Sequence, residues 1–233
     1  CHYILVLESR KPYAFEAETI PLPNPDQIDF TLRQPYGVVG CIAPWNFPLV
    51  NAVLKIGPAL AAGNTVIMKP ASWTSLTTLL FCEVFTEAGL PPGVLNVLAG
   101  PGNTVGEAIC TDPRVQKIFF TGSTDIGRRI IQVSTGHIAD LSMELGGKSP
   151  NIIFADADWE QAVAGATFGI LLNNGQNCIA GSRLLVERPI YDDFVAALAE
   201  KFQSLRLGDP MKPESQLGAV VSRNQVKEIG WGE

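Results

Sequence analysis

The chain has 233 residues, with 17 Lys and Arg against 23 Asp and Glu, a formal net charge of −6. A hydrophobic content of 46% with 17% charged residues is enough to bury a sizeable core and excludes a disordered tail. The acidic balance excludes general binding to nucleic acid or an anionic membrane, and with only His2 and His137 present a multi-histidine metal centre is unavailable, so no metal is expected.

Residues 1 to 16 are ambiguous: Ile4 to Leu7 is a short apolar run that reads as a strand or a truncated helix. Glu18 to Leu22 reads as a strand, Pro23-Asn24-Pro25-Asp26 as a turn, and Ile28 to Arg33 as a half-buried strand of period two. Together they form a candidate hairpin, either an ordinary surface hairpin or an arm that pairs with another subunit, since isolated two-stranded ribbons are marginal in water. From Gly37 the pattern changes. Strands at Val38 to Ala43, Thr65 to Met68, Val94 to Leu98, Lys117 to Phe120 and Leu141 to Glu144 alternate with helices at Leu49 to Ala61, Ser75 to Ala88, Thr104 to Cys110 and Asp125 to Ser134. Such alternation means βαβ units and a largely parallel sheet. Gly146-Gly147 is a candidate domain boundary. Beyond it come Pro150 to Phe154 (strand), Trp159 to Leu172 (helix), Ser182 to Val186 (strand) and Tyr191 to Leu205 (helix).

The five cysteines, Cys1, Cys41, Cys82, Cys110 and Cys178, are odd in number and form no C-x-x-C pair. That reads as free thiols in a reducing compartment, with a cytoplasmic location expected. No signal peptide is visible. The uncharged stretches Gln34 to Leu54 and Gln161 to Ser182 are broken by Pro and Asn and read as buried core, not membrane spans.

Several loops carry chemistry-capable residues. Thr121-Gly122-Ser123-Thr124-Asp125-Ile126-Gly127 follows a strand and opens a helix, which suits a phosphate or simply a capped helix start. The dinucleotide fingerprint G-x-G-x-x-G is absent. Lys69, before Pro70-Ala71, sits at the carboxyl end of a strand, where open α/β sheets bind ligands; it could reach a ribose or phosphate, or be a solvated lysine. Asn46, between Pro44 and Pro48, could donate to an oxyanion or be a turn residue. Glu144 lies on an apolar segment, where desolvation would favour its neutral form and make it a usable base or acid; the alternative is a salt bridge to Lys148 or a nearby cation. Cys178, in Gly175-Gln176-Asn177-Cys178-Ile179-Ala180-Gly181, is a loop thiol, whereas Cys41, Cys82 and Cys110 fall on strands or helices, where buried inert thiols are common.

In combination, P-W-N-F-P at 44–48, K-P-A at 69–71, F-T-G-S-T-x-x-G at 120–127, M-E-L-G-G-K-S-P at 143–150 and G-Q-N-C-I-A-G at 175–181 closely resemble the NAD(P)-dependent aldehyde dehydrogenase superfamily. The resemblance runs from about Glu18 to the C-terminus. It implies an α/β fold with a Rossmann-type parallel-sheet cofactor domain and the start of an α/β catalytic domain. Residues 17–34 would be an oligomerisation hairpin, 35–146 a partial NAD(P)-binding domain and 147–233 a truncated catalytic domain, with 1–16 an uncertain remnant. The E-x-F-G-P motif of the family does not occur here.

The resemblance further implies that Cys178 attacks an aldehyde, that Asn46 and the Cys178 backbone N–H stabilise the oxyanion, and that Glu144 activates water to hydrolyse the thioester. That glutamate favours the hydrolytic, non-acylating branch. Trp45, Gly122 and Ser123 would meet the cofactor pyrophosphate, Lys69 the adenosine ribose, and Gly102 and Gly106 another cofactor-side loop. Ser72, where many NAD-preferring members carry glutamate, favours acceptance of NADP. A homodimer or homotetramer is expected of the complete enzyme, with the 233 residues alone inactive. The alternatives are an inactive truncated piece, a non-catalytic structural protein of the same fold, or a dinucleotide-binding module without chemistry.

Overall fold

The structure, a computed structural model, describes residues 18–229. The apolar run at Ile4 to Leu7 and the terminal Trp231-Gly232-Glu233 lie outside the described residues. The chain divides into two compact units, one running to Leu145 and one from Gly146.

The first unit opens with a hairpin. Strand β1 (Thr19–Ile20) pairs antiparallel with β2 (Asp29–Phe30), Thr19 opposite Phe30 and Ile20 opposite Asp29. Both strands are shorter than their alternation suggests, and Ile28, Phe30 and Leu32 are exposed, not half-buried. The main sheet holds β3 (Val38–Ile42), β4 (Thr65–Lys69), β5 (Leu95–Val97), β6 (Val115–Gly122) and β7 (Asp140–Leu145) in the order β5-β4-β3-β6-β7, every neighbour parallel. The chain winds outward from β3 to β5, then returns past β3 to continue at β6, so the direction reverses between β3 and β6.

Alternation along β3 builds two cores. Val39, Cys41 and Ala43 turn to one face, where they meet Ala52 and Ile56 of α1 (Pro48–Ala61) and Phe81 and Phe85 of α2 (Ser75–Glu87). Ile42 turns to the other, beside Ile109 and Cys110 of α3 (Glu107–Thr111) and Ile130 of α4 (Thr124–Ser134). With both faces covered, near-continuous apolar strands are what a parallel sheet requires. Each fully buried side chain such as Ile56, Met68 or Ile118 contributes roughly 1.5–3 kcal/mol. Pro48 begins α1, where its missing N–H costs nothing. The short helix expected at Thr104 to Cys110 is instead a wide π-type turn over Gly102–Gly106 running into α3.

In the second unit, β8 (Pro150–Ile153) pairs parallel with β9 (Arg183–Val186). Helices α5 (Trp159–Leu171) and α6 (Tyr191–Gln203) bury Ala166 and Phe194 against Ile153. Asp158 caps α5 by accepting from the Gln161 N–H at 3.0 Å. A last helix, α7 (Arg223–Ile229), follows.

Candidate active site

The sheet register explains why scattered motifs share an edge. Ile42 lies opposite Lys69 on one side and Phe120 on the other, and Phe120 lies opposite Met143. One residue further on, the Ala43 N–H donates to the Lys69 carbonyl at 3.0 Å, and Thr121 pairs with Glu144. The carboxyl ends of β3, β4, β6 and β7 therefore present Lys69, the 44–48 bend, Gly122-Ser123 and Glu144 along one rim. The reversal between β3 and β6 makes that rim the place for a ligand crevice.

A cavity of about 490 Å³ opens there on the α3/α4 face, lined among others by Ile42, Lys69, Gly102, Gly106, Phe120 and Ile130. Largely apolar walls, with the Lys69 ammonium, the Asn103 amide and the Arg129–Glu107 ion pair at 2.6 Å as polar groups, suit a flat base and a ribose. Lys69 is not a solvated surface lysine. It is buried, its Nζ donates to the Pro70 carbonyl at 3.1 Å, and burial pulls its pKa below the usual lysine value. Gly122 is the last residue of β6, not part of a loop beyond it; a Cβ there would sit 2.5 Å from the Phe120 ring. Ser123 caps α4, its Oγ accepting from the Ile126 N–H at 3.4 Å.

Ser72 neither caps α2 nor lines the cavity. It opens a single tight turn, Ser72–Thr74, and its Oγ donates to the Gly100 carbonyl at 3.0 Å. Trp45 and Asn46 sit half-buried in the bend after β3. Glu144 departs from expectation: it is exposed, so the desolvation inferred from its apolar neighbours is not found.

The sequence reading missed Lys55. It is the only charged residue between Arg33 and Lys69, a signal that could have marked it. Its helix carries it into the core at 1% exposure. The ammonium donates to Thr121 Oγ1 at 2.6 Å and Asn51 Oδ1 at 3.3 Å, and stands 4.7 Å from the Phe119 ring centre. Burial pulls its pKa down from 10.5 to about 8, against the upward pull of Cys41 and Glu144. Thr121, the register partner of Glu144, thus ties a buried cation to the strand pair that ends in the carboxylate.

Cys1 lies outside the described residues, and the other four cysteines separate cleanly. Cys41 and Cys110 are buried and Cys82 half-buried; burial pushes their thiols up to about 12, 11 and 11, respectively. Cys178 is exposed, with Sγ 3.8 Å from Asn177 Oδ1. Helix α5 stops at Leu171, one residue before the end read from the sequence. A tight turn, Leu172–Gly175, then leads to the cysteine.

Comparison with known proteins gives the family. The model of the aldehyde dehydrogenase family matches residues 8–230. The human mitochondrial aldehyde dehydrogenase is 44% identical over 232 residues, 97% of this chain and 44% of that protein. Betaine aldehyde dehydrogenase from Staphylococcus aureus, solved in complex with NAD+, superposes with a TM-score of 0.94 at 37% identity, over 98% of this chain and 45% of that one. An NADP-dependent enzyme from E. coli superposes with a TM-score of 0.91 at 37% identity, over 97% and 46%. The chain spans less than half the length of these relatives. No helix among the described residues is long and apolar enough to cross a membrane. With an α/β fold built on a five-stranded parallel sheet and matches of this extent, the chain belongs to the aldehyde dehydrogenase family.

Proposed function

We propose that this chain carries the coenzyme site and the nucleophile of an NAD(P)-dependent dehydrogenase that oxidises an aldehyde to a carboxylic acid. The observation that carries this is the contrast among thiols: Cys178 is exposed while the other described cysteines lie at least half-buried with their thiols pushed up. A thiolate is the reacting species, so Cys178 is the nucleophile. Its sulfur bonds to the aldehyde carbon, and the carbonyl electron pair becomes an oxyanion. Asn46 and the Cys178 backbone N–H are the donors assigned to that oxyanion. A nicotinamide dinucleotide, held by the residues named below, would supply the acceptor for the hydride that the adduct loses in becoming a thioester. Glu144 then takes a proton from water, whose oxygen attacks the thioester, releasing acid and free thiol. Its exposure on β7 leaves it open to that water.

The cavity beneath Lys69 supports the coenzyme assignment. Lys69 would hold the adenosine ribose, Gly102 and Gly106 would line the same pocket, and Trp45, Gly122 and Ser123 would meet the pyrophosphate at the start of α4. Ser72 does not line that pocket, but its Oγ is held on the Gly100 carbonyl, two residues before Gly102, and a neutral side chain at that edge favours acceptance of NADP alongside NAD. Residues 35–146 would form the coenzyme domain and 147–233 part of the catalytic domain. Residues 17–34 would be an arm shared between subunits, a role supported by Phe30 at 56% exposure on a two-stranded ribbon and by Ile28 at 83% beside it. The described cysteines are all free, which supports a reducing setting; we propose a cytoplasmic one.

The test is Cys178→Ala in the purified enzyme, followed by formation of reduced coenzyme with an aldehyde. The expected result is complete loss of aldehyde oxidation, with native folding. Substantial turnover in the variant would sink the assignment.

A further inference from the structure

The Cys178 side chain is exposed, and among the described residues its one polar contact is a long one to its neighbour Asn177. Packing therefore does not place the sulfur; the backbone of its loop must. That loop begins with three consecutive left-handed residues, Asn173 at φ 55°, Asn174 at φ 57° and Gly175 at φ 74°. Glycine adopts this region freely and asparagine better than most residues, but a run of three does not persist without outside support.

The support comes from side-chain amides. Asn174 Oδ1 accepts from the Gly218 N–H at 3.1 Å, and its Nδ2 donates to the Ala219 carbonyl at 3.3 Å. Gln176 Oε1 accepts from the Val221 N–H at 2.8 Å. Asn173 and Gln176 close the turn on themselves, each side-chain N–H donating to the other's carbonyl at 3.2 Å. The anchoring segment is itself tied down just upstream, where the Leu217 N–H donates to the Arg206 carbonyl at 3.2 Å and the Gly208 N–H to the Leu217 carbonyl at 3.0 Å.

We infer that Asn174 and Gln176 are positioning residues for the Cys178 thiol, stapling its loop to the backbone of residues 218–221. This role rests on Cys178 being the nucleophile proposed above. A reacting sulfur misplaced by about 1 Å loses on the order of a hundredfold in rate, so a staple two residues from the cysteine bears directly on turnover.

The test uses three variants of the purified enzyme. Gln176→Ala removes one arm of the staple. Gln176→Glu keeps an oxygen for the Val221 N–H. Asn174→Gly keeps the left-handed backbone but deletes the amide. Three quantities are measured: kcat and coenzyme KM with an aldehyde, the pH profile of Cys178 alkylation by iodoacetamide resolved by peptide mass, and Tm. Gln176→Ala and Asn174→Gly should lower kcat by roughly tenfold to a hundredfold, leave coenzyme KM unchanged and displace the alkylation profile. Gln176→Glu should recover part of both losses. Folded variants with wild-type kcat and alkylation profile would overturn the inference. So would a fall in kcat that tracks Tm while the profile stays fixed. If the wild type oxidises no aldehyde but the variants still displace the alkylation profile, the staple stands and the nucleophile assignment falls.

Discussion

Replacing Lys55 by methionine, which has a similar length and no charge, tests the electrostatics beneath the rim. Burial lowers the Lys55 pKa from 10.5 to about 8. At about 1.4 kcal/mol for each tenfold change, holding the ammonium charged in the folded protein at neutral pH costs about 3 kcal/mol relative to the unfolded chain. Methionine removes that penalty. It also leaves Thr121 Oγ1 and Asn51 Oδ1 without their donor, which costs roughly 1–3 kcal/mol. The two effects are similar in size, so stability at neutral pH changes little.

The pH dependence separates them. Between about 8 and 10.5 the unfolded chain binds more protons at this position than the folded one. Stability therefore rises with pH across that window. It is complete above the unfolded value and lost as pH falls through the folded one. The assay is urea unfolding of wild type and Lys55→Met at matched pH values, with the two free energies subtracted so that other groups cancel. Wild type should gain on the variant by about 3 kcal/mol across the window and run parallel to it below. A flat difference, or one that falls with rising pH, would refute the buried-ammonium reasoning.

Glu144→Gln should preserve the first burst of reduced coenzyme while steady-state turnover falls by roughly 10²–10⁴-fold; unchanged burst and turnover would make Glu144 structural. Ser72→Glu should lower the ratio of kcat/KM for NADP over NAD, by about tenfold for each 1.4 kcal/mol of repulsion introduced. An unchanged ratio would assign coenzyme choice to another residue. Gly122→Ala places a Cβ 2.5 Å from the Phe120 ring, and a Tm loss corresponding to about 1–3 kcal/mol is expected; a variant as stable as wild type would show that the ring moves aside freely.

The alternating strands and helices were legible because each parallel strand is an uninterrupted apolar run bounded by glycine or by a helix start. The boundaries were less so. β6 reaches from Val115 to Gly122 because pairing with β7 continues through Thr121 and Gly122, and pairing partners are not written in one strand's own sequence. The exposure of Glu144 was misjudged for a related reason: its neighbours are apolar, but a strand residue takes its surroundings from what covers its own face. Lys55 shows the same limit, since Thr121 stands 66 positions away. The left-handed run at Asn173-Asn174-Gly175 left a composition signal, two asparagines and a glycine. Its partners at 218–221, though, are set by tertiary contact.

The most direct measurement is peptide mapping of Glu144→Gln after incubation with an aldehyde and NAD+. With hydrolysis slowed, the aldehyde less its hydride should remain as an acyl group on the sulfur of the peptide containing Cys178, in step with the reduced coenzyme formed. Reduced coenzyme without that adduct, or an acyl group on Cys41, Cys82 or Cys110, would contradict Cys178 as the nucleophile.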